Sequence, residues 1–308
     1  MGPDVPGVSR SGFMNFRHLL VGLTALGCAF AASAGSTIAR TSASALGTQF
    51  DPPVNDFDSG TFSSSSSATG NGAGGTADAV VSLGVIKLYA SSFGAAGNHL
   101  GTAHAEGVYS EDLTISSAGL NGTQARVTMG VTLQGMIDPT GGGISSVDFS
   151  FNGGGFLGSW GAHSNPAFPG GFPVDNVSAV AGGPLYYSGI HNIKLTITLG
   201  TPFTITERLT LFAGKIDCLS DPQCSTSEAG SVTADFGHSS YWNGISAISL
   251  LDPNTGLYVP ADLSLFTIAS PSGLDWAESF APVPEPSTLL LMSLGGLLLL
   301  TAAARRAR

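Results

Sequence analysis

Residues 124–137 read Gln-Ala-Arg-Val-Thr-Met-Gly-Val-Thr-Leu-Gln-Gly-Met-Ile, and this stretch decides the fold. Apolar side chains occupy every second position from Ala125 to Leu133, and polar or small residues lie between them. Because successive side chains of a strand point to opposite faces, the alternation predicts a β-strand with one buried face. One buried face per strand is typical of antiparallel sheets.

The same period of two recurs through the middle of the chain. It runs from Ile193 to Leu199 and resumes after Pro202, where Phe203, Ile205, Leu209 and Leu211 are in phase. Further strands are predicted at residues 80–89, 145–151, 231–236, 244–250 and 263–268. No stretch between residues 35 and 282 keeps a helical period. The pattern predicts an all-β fold, an antiparallel β-sandwich that is jelly-roll-like.

Three stretches break this rhythm, and the third is a Pro-bearing stalk at residues 278–286. Residues 59–75 are rich in Ser and Gly and predict a long loop or a flexible linker. Residues 153–184 are rich in Gly and Pro and predict an irregular surface loop. The expected organisation has four parts: a start-site extension plus signal peptide at 1–34, an N-terminal segment and linker at 35–75, a β-sandwich domain at 76–280, and a C-terminal signal at 281–308.

The charge balance of residues 35–286 is acidic. This part holds six Lys and Arg against twenty Asp and Glu, which gives a net charge of −14 with His neutral. Nucleic acids and anionic membranes are recognised through clustered basic residues. We therefore expect no nucleic-acid partner.

The N-terminal residues resemble an export signal in their layout. A basic region around Arg17 precedes an apolar run at residues 19–32, and Ala32-Ser33-Ala34 supplies the small residues that signal peptidase requires. Cleavage is expected between Ala34 and Gly35, with signal peptidase as a transient partner. Met14 is an alternative start to Met1. Two rival interpretations stay open, a lipoprotein signal cut before Cys28 and an uncleaved membrane helix.

Two cysteines, Cys218 and Cys224, remain after such cleavage. Outside the cytoplasm a local disulfide is the natural expectation for this pair. The loop it closes is short, so its contribution to stability is at the low end for disulfides. No His or second Cys pair lies nearby in the sequence, which leaves little support for a metal site.

The C-terminus begins with Pro284-Glu285-Pro286 and continues as an uncharged apolar run at residues 289–304. As a helix this run is roughly 24 Å long at 1.5 Å per residue, close to the thickness of a hydrocarbon core. Three arginines come directly after it: Arg305, Arg306 and Arg308. Basic residues next to a span orient it with that end in the cytoplasm, so the preceding chain is expected outside.

These three features in this order resemble the PEP-CTERM sorting signal. The resemblance implies that an exosortase recognises Pro284, Glu285 and Pro286 at the outer face of the inner membrane and cuts near them. It also implies a Gram-negative, polysaccharide-producing host. Residues 234–276 resemble the closing hairpin found in many secreted domains of this class. A plain C-terminal membrane anchor remains the alternative for the tail.

Several polar clusters are candidate sites, each with a simpler explanation. His99, His104 and Glu106 could hold a metal only if a loop brought them together. The oxygen-rich set Asp51, Asn55, Asp56 and Asp58 could bind calcium or consist of solvated turn acids. Glu106, Glu111 and Asp112 could include a glycosidase pair or be ordinary strand acids. Aromatic residues could stack on sugars or be buried: Trp160, Phe168, Phe172, Tyr186, Tyr187, Tyr241 and Trp242.

The sequence therefore predicts an exported, non-enzymatic β-sandwich protein without catalytic residues or a resident cofactor. The expected role is structural or adhesive, at the cell surface or in an extracellular matrix, with exopolysaccharide as a further partner. A glycan-binding module that uses Trp160 or Trp242 is the first alternative. A secreted polysaccharide hydrolase that uses an acid such as Glu106 is the second.

Overall fold

The computed structural model describes residues 35–46, 54–97, 99–141, 143–163, 177–179, 185–215 and 229–281. Within these ranges the chain forms fifteen strands: β1 Ser36–Leu46, β2 Val54–Gly60, β3 Ser63–Gly70, β4 Ala73–Ser82, β5 Val85–Gly94, β6 Leu100–Ser116, β7 Gln124–Thr140, β8 Gly143–Gly153, β9 Phe156–His163, β10 Val177–Ala179, β11 Leu185–Thr198, β12 Phe203–Lys215, β13 Gly230–Leu251, β14 Tyr258–Ala261 and β15 Thr267–Ala269.

The strands form two sheets, and all strand pairs described within each sheet are antiparallel. The first sheet has the order β2-β1-β6-β12-β8-β9, with β15 paired to the end of β6. The second has the order β10-β11-β7-β13-β5-β4-β3, with β14 paired to β13. One apolar core joins the inner faces of both sheets. The predicted antiparallel β-sandwich is confirmed, and its jelly-roll-like connectivity stays a prediction.

Strand β7 confirms the alternation at residues 124–137. Ala125, Val127, Met129, Val131 and Leu133 are all buried, and β7 lies between β11 and β13 in the second sheet. A strand in this position has neighbours on both sides and a core beneath it. Its period of two is therefore clear in the sequence, because one face is buried along most of its length.

The core is built from large side chains at its centre and from small ones at one edge. The largest fully buried side chains include Trp242, Trp276, Tyr109, Phe149, Phe151 and Phe236. A separate small cluster consists of alanines alone: Ala43, Ala45, Ala68 and Ala73. The sandwich is thus thickest at its aromatic centre and thin where β1, β3 and β4 meet.

The Ser- and Gly-rich stretch forms β3 and the start of β4, which differs from the predicted loop or linker. The hydroxyl of Thr41 lies 2.7 Å from that of Ser64 and 2.8 Å from that of Ser66, all three buried between the sheets. A Cβ added to Gly75 would lie 2.0 Å from the carbonyl oxygen of Thr102, so the sheets nearly touch there. Small residues permit this close approach of the sheets. Because serine occupies both the buried and the exposed positions of β3, the strand shows no alternation in hydropathy.

Other predicted segments also differ from the structure. Residues 80–89 are the β4–β5 hairpin rather than one strand, because Gly84 turns the chain with a φ of 75°. The predicted strand at 263–268 begins as the 3₁₀ turn Leu263–Leu265, which Asp262 caps by accepting from the N–H of Ser264 at 3.0 Å. Within the predicted surface loop at 153–184, β9 and β10 are strands.

Several predictions fall outside the described residues. These are the signal peptide, the Cys218–Cys224 disulfide, the Pro-Glu-Pro motif at 284–286, and the apolar run with its arginines. In the part of the chain that the structure describes, no helix has the length and apolar character that a membrane span requires. The predicted C-terminal span is not among those residues.

Candidate functional site: the docked segment and the sorting motif

The last described residues, 274–281, pack against the core as a segment without regular structure, here called the docked segment. Trp276 is its anchor and is fully buried. The Trp276 ring lies 5.2 Å from the ring of Trp242 and 5.2 Å from that of Phe280, both edge-to-face. Such aromatic pairs contribute about 0.5–1.5 kcal/mol each beyond the area they bury.

Backbone hydrogen bonds fix the docked segment to β13. The register of β13 against β7 shifts between Trp242 and Ile245, and this bulge directs backbone groups away from the sheet. The N–H of Phe280 donates to the carbonyl of Trp242 at 2.8 Å, and the N–H of Ile245 donates to Ala277 at 3.3 Å. The indole N–H of Trp242 donates to the carbonyl of Trp276 at 2.9 Å.

Two glycines make room for this segment. Gly244 has a φ of 85°, and a Cβ there would lie 2.5 Å from the carbonyl oxygen of Ala277. A Cβ on Gly84 would lie 2.0 Å from the ring of Phe280. Because any side chain at either position would displace the segment, both glycines are part of the docking site. Residues 278–281, which belong to the predicted Pro-bearing stalk at 278–286, are held on the domain.

The comparisons with known proteins identify the part of the chain that comes after the docked segment. Residues 282–308 match the PEP-CTERM protein-sorting motif, so the match begins one residue after the docked segment ends. This motif implies a protein that is exported, sorted at a membrane and processed by an exosortase. Neither the curated proteins nor the solved structures gave a match to the chain.

The three acids considered as a glycosidase pair do not converge. Glu106 lies on the outer face of β6, where Arg208 Nε is 3.0 Å and Arg40 Nη1 is 3.4 Å from its carboxylate. Asp112 lies on the same face and accepts from the Thr204 hydroxyl at 2.5 Å. Glu111 points to the inner face of β6 and is 1% exposed. Each carboxylate therefore has a different environment.

The two histidines near the start of β6 also have different environments. Nδ1 of His99 is hydrogen-bonded to the carbonyl of Asn71. His104 lies in β6 on the same face as Glu106, and burial lowers the pKa of its imidazole below the ordinary value. Among the described residues, no group of three or more His, Cys, Asp or Glu side chains is placed to hold a metal ion.

The acids of the proposed calcium cluster bind backbone N–H groups of a neighbouring strand. Asp58 accepts from the N–H of Ser65 at 3.0 Å, and Asp56 accepts from the N–H of Ser67 at 2.8 Å. The hydrogen bond from Ser65 lowers the pKa of Asp58. Asp51, the first member of the cluster, lies outside the described residues.

The aromatic residues considered for sugar stacking divide into buried and exposed ones. Trp242 and Tyr187 belong to the core, so the proposal that Trp242 stacks on a sugar was wrong. Tyr186 is 48% exposed on β11 and is available on the surface. Phe168, Phe172 and the side chain of Trp160 lie outside the described residues.

Sequence reasoning missed a buried carboxyl group at the centre of the sandwich. Glu207 is 0% exposed on the inner face of β12. The Tyr109 hydroxyl donates to it at 2.5 Å, and the Ser240 hydroxyl donates to its other oxygen from the opposite sheet. Burial raises the pKa of Glu207 to about 7 against the lowering effect of these two hydrogen bonds. The alternation of Phe203, Ile205 and Leu209 already placed Glu207 on the apolar face.

Proposed function

We propose that this is an exosortase-processed surface or extracellular-matrix protein with a structural or adhesive role in exopolysaccharide or biofilm, and that it is not an enzyme. The observation that carries the proposal is the sorting motif, which comes directly after a segment anchored on a folded β-sandwich. An acidic sandwich with long strands has a large surface for contacts with other molecules. The docked segment holds the chain on the domain up to Ala281, so the sorting motif begins beside the folded domain.

The chemistry of the motif suits an accessible processing site. Pro284 and Pro286 fix φ and remove two backbone donors, which disfavours helix and keeps the segment extended. The apolar run after it would hold the substrate at the membrane, and the terminal arginines would orient it. In this proposal Pro284, Glu285 and Pro286 are acted upon by the exosortase and do not catalyse.

The non-enzymatic part of the proposal is supported by how the described acids are used. Glu106 is held by two arginines, Asp56 and Asp58 bind strand N–H groups, and Glu207 is sealed in the core. These contacts give each of these four carboxylates a structural role. A hydrolase would need two carboxylates that face one cleft.

The test is the intact mass and cell fraction of the protein in an exosortase-bearing host, with and without that enzyme. We expect a released product that starts at Gly35, ends near Pro286 and forms only when the exosortase is present. The double variant Glu285→Ala, Pro286→Ala should instead give a longer, membrane-retained product. Glu278→Ala, an exposed acid of the docked segment, is the matched control and should be processed normally.

Two results would contradict the proposal. Normal release of the Glu285→Ala, Pro286→Ala variant would show that the motif is not what the processing enzyme reads. A full-length C-terminus in both hosts would reduce the tail to an anchor.

If the exosortase-dependent product is released, the released domain can be screened against the host's own polysaccharide. Tyr186→Ala is the variant that separates surface stacking from other contacts.

A further inference from the structure

The inner-face carboxyl group of Glu111 has one partner and one open position. Its Oε1 accepts from the backbone N–H of Ser272 at 3.0 Å. Its Oε2 is buried and has no hydrogen-bond partner among the described residues. A buried carboxyl oxygen without a hydrogen-bond partner costs free energy of folding, and the cost is larger when the carboxyl group is charged.

The residue that faces this open oxygen is Gly35. In the β1–β6 ladder Ser36 lies opposite Ser110, so Gly35 is the next position along and faces Glu111. A Cβ added to Gly35 would lie 2.1 Å from Glu111 Oε2. Because a Cα–Cβ bond is about 1.5 Å long, the Gly35 Cα is within about 3.6 Å of that oxygen, and its nitrogen within about 5 Å.

Gly35 is also the residue that the expected signal-peptidase cut would make the first of the mature protein. Hydrolysis of the Ala34–Gly35 bond consumes one water and leaves a carboxylate on Ala34 and an amine on Gly35. The amine takes up a proton at neutral pH and becomes an ammonium group with three N–H donors. The precursor has only an uncharged amide at this atom.

We propose that Glu111 is the binding site for the chain's own processed N-terminus, a buried ion pair with the Gly35 ammonium that exists only after cleavage. The absence of a side chain at Gly35 lets the carboxyl group lie across the backbone, and Leu83 closes the site, since its methyl carbons would be 2.7 and 2.9 Å from an added Cβ. The inference rests on the export step of the proposed function.

The first test is the reactivity of the mature N-terminal amine. The exported protein is labelled with an amine-reactive acylating reagent at pH 7, and the N-terminal peptide is followed by mass spectrometry. We expect Gly35 to react about tenfold more slowly in the native protein than in Glu111→Gln, the change that one pKa unit of the amine produces. Asp112→Asn, on the opposite face of the same strand, is the matched control and should label at the native rate.

The second test removes the ammonium and keeps the acid. Insertion of Ser-Gly between Ala34 and Gly35 leaves the cleavage signal intact and displaces the new terminus by two residues. Glu111→Gln should lower the urea midpoint clearly in the protein that starts at Gly35 and much less in the extended protein. If Glu111→Gln folds poorly, the two proteins that retain Glu111 still test the pair, because the extended protein should have a lower urea midpoint than the protein that starts at Gly35.

The outcomes separate the pair from the export step. A mature terminus at Gly35 with equal labelling rates in native protein and Glu111→Gln would overturn the ion pair and leave export intact. Equal losses of stability from Glu111→Gln in both backgrounds would do the same. A mature terminus at any other residue would overturn the pair together with the expected cleavage site.

Discussion

At the scale of the residue, Glu207 shows how a single carboxyl group can make stability depend on pH. It lies between the two sheets and accepts hydrogen bonds from Tyr109 and Ser240. Its pKa rises from 4.5 to about 7, chiefly because burial disfavours the charged form. Burial and the neighbouring Glu207 also raise the pKa of Tyr109 well above its ordinary value.

We predict that the free energy of unfolding falls as the pH rises from about 4.5 to about 7. In this window the folded state retains a proton that the unfolded chain has released, so the contribution is fully present below 4.5 and lost through 7. The total effect is on the order of 3 kcal/mol. Urea unfolding across this range checks it, and Glu207→Gln should flatten that part of the curve.

An exposed acid provides the control for this titration. Glu278→Gln should leave the slope between pH 4.5 and 7 unchanged, since Glu278 lies on the surface of the docked segment. A Glu207→Gln protein with the native slope would show that other groups produce the pH dependence.

At the scale of the element, β3 is the edge strand of the second sheet and is covered by side chains of β2. Asp58 and Asp56 receive the outward N–H groups of Ser65 and Ser67. An uncovered edge offers unpaired donors to the strand of another molecule. The two acids satisfy these donors and add negative charge beside the edge.

We predict that Asp56→Ala combined with Asp58→Ala increases self-association, because it frees two edge N–H groups. Sedimentation velocity over a range of protein concentrations measures the effect. The control with the same change in charge is Asp78→Ala combined with Asp112→Ala, whose carboxylates accept from hydroxyls and leave the edge covered. Equal association of the two double variants would point to net charge rather than edge capping.

At the scale of the whole molecule, the two sheets are held at different separations along the sandwich. Aromatic side chains separate them at the centre, whereas at Gly75 and Gly101 backbone meets backbone. Cβ atoms added to these glycines would lie 2.0 and 2.1 Å from carbonyl oxygens of the other sheet. The backbone would have to move to accept either.

We predict that Gly75→Ala lowers the free energy of unfolding by about 1–3 kcal/mol, the usual range for overpacking. Gly70→Ala is the matched control, because its Cβ would meet only the exposed Val54 side chain, at 3.2 Å. We expect that control to stay within about 0.5 kcal/mol of the native protein. Denaturant unfolding measures both, and an equal loss in the two variants would contradict close sheet packing.

The sequence predicted those elements whose hydropathy alternates. β7, β11 and β12 have one apolar face that the alternation reveals, and the hairpin after Leu251 is evident from its turn residues. Asp252 closes that turn by accepting from the N–H of Asn254 at 2.9 Å and from the hydroxyl of Thr255 at 2.8 Å. These signals are local, so a single sequence contains them.

The features that the sequence did not predict depend on contacts between residues that are far apart in the chain. β3 alternates inward and outward serines, which hydropathy treats alike, so only the position of Thr41 reveals which are buried. Residues 234–276 resemble a closing hairpin, but the role of Trp276 as an anchor depends on the bulge in β13. Glu207 was in phase with the apolar residues of β12, and Glu111 faces Gly35 across 76 residues of sequence. Inward acids become visible when strand phase is applied to charged residues as well.

The hairpin turn at Leu83 and Gly84 gives the molecule a polarity. Gly35 packs against Leu83, and Phe280 packs against Gly84. The start and the end of the described chain therefore lie at the same end of the sandwich. Asn71 and His99 lie at the opposite end of the β4–β5 hairpin. Both expected processing steps, before Gly35 and after Ala281, therefore act at the same end of the sandwich.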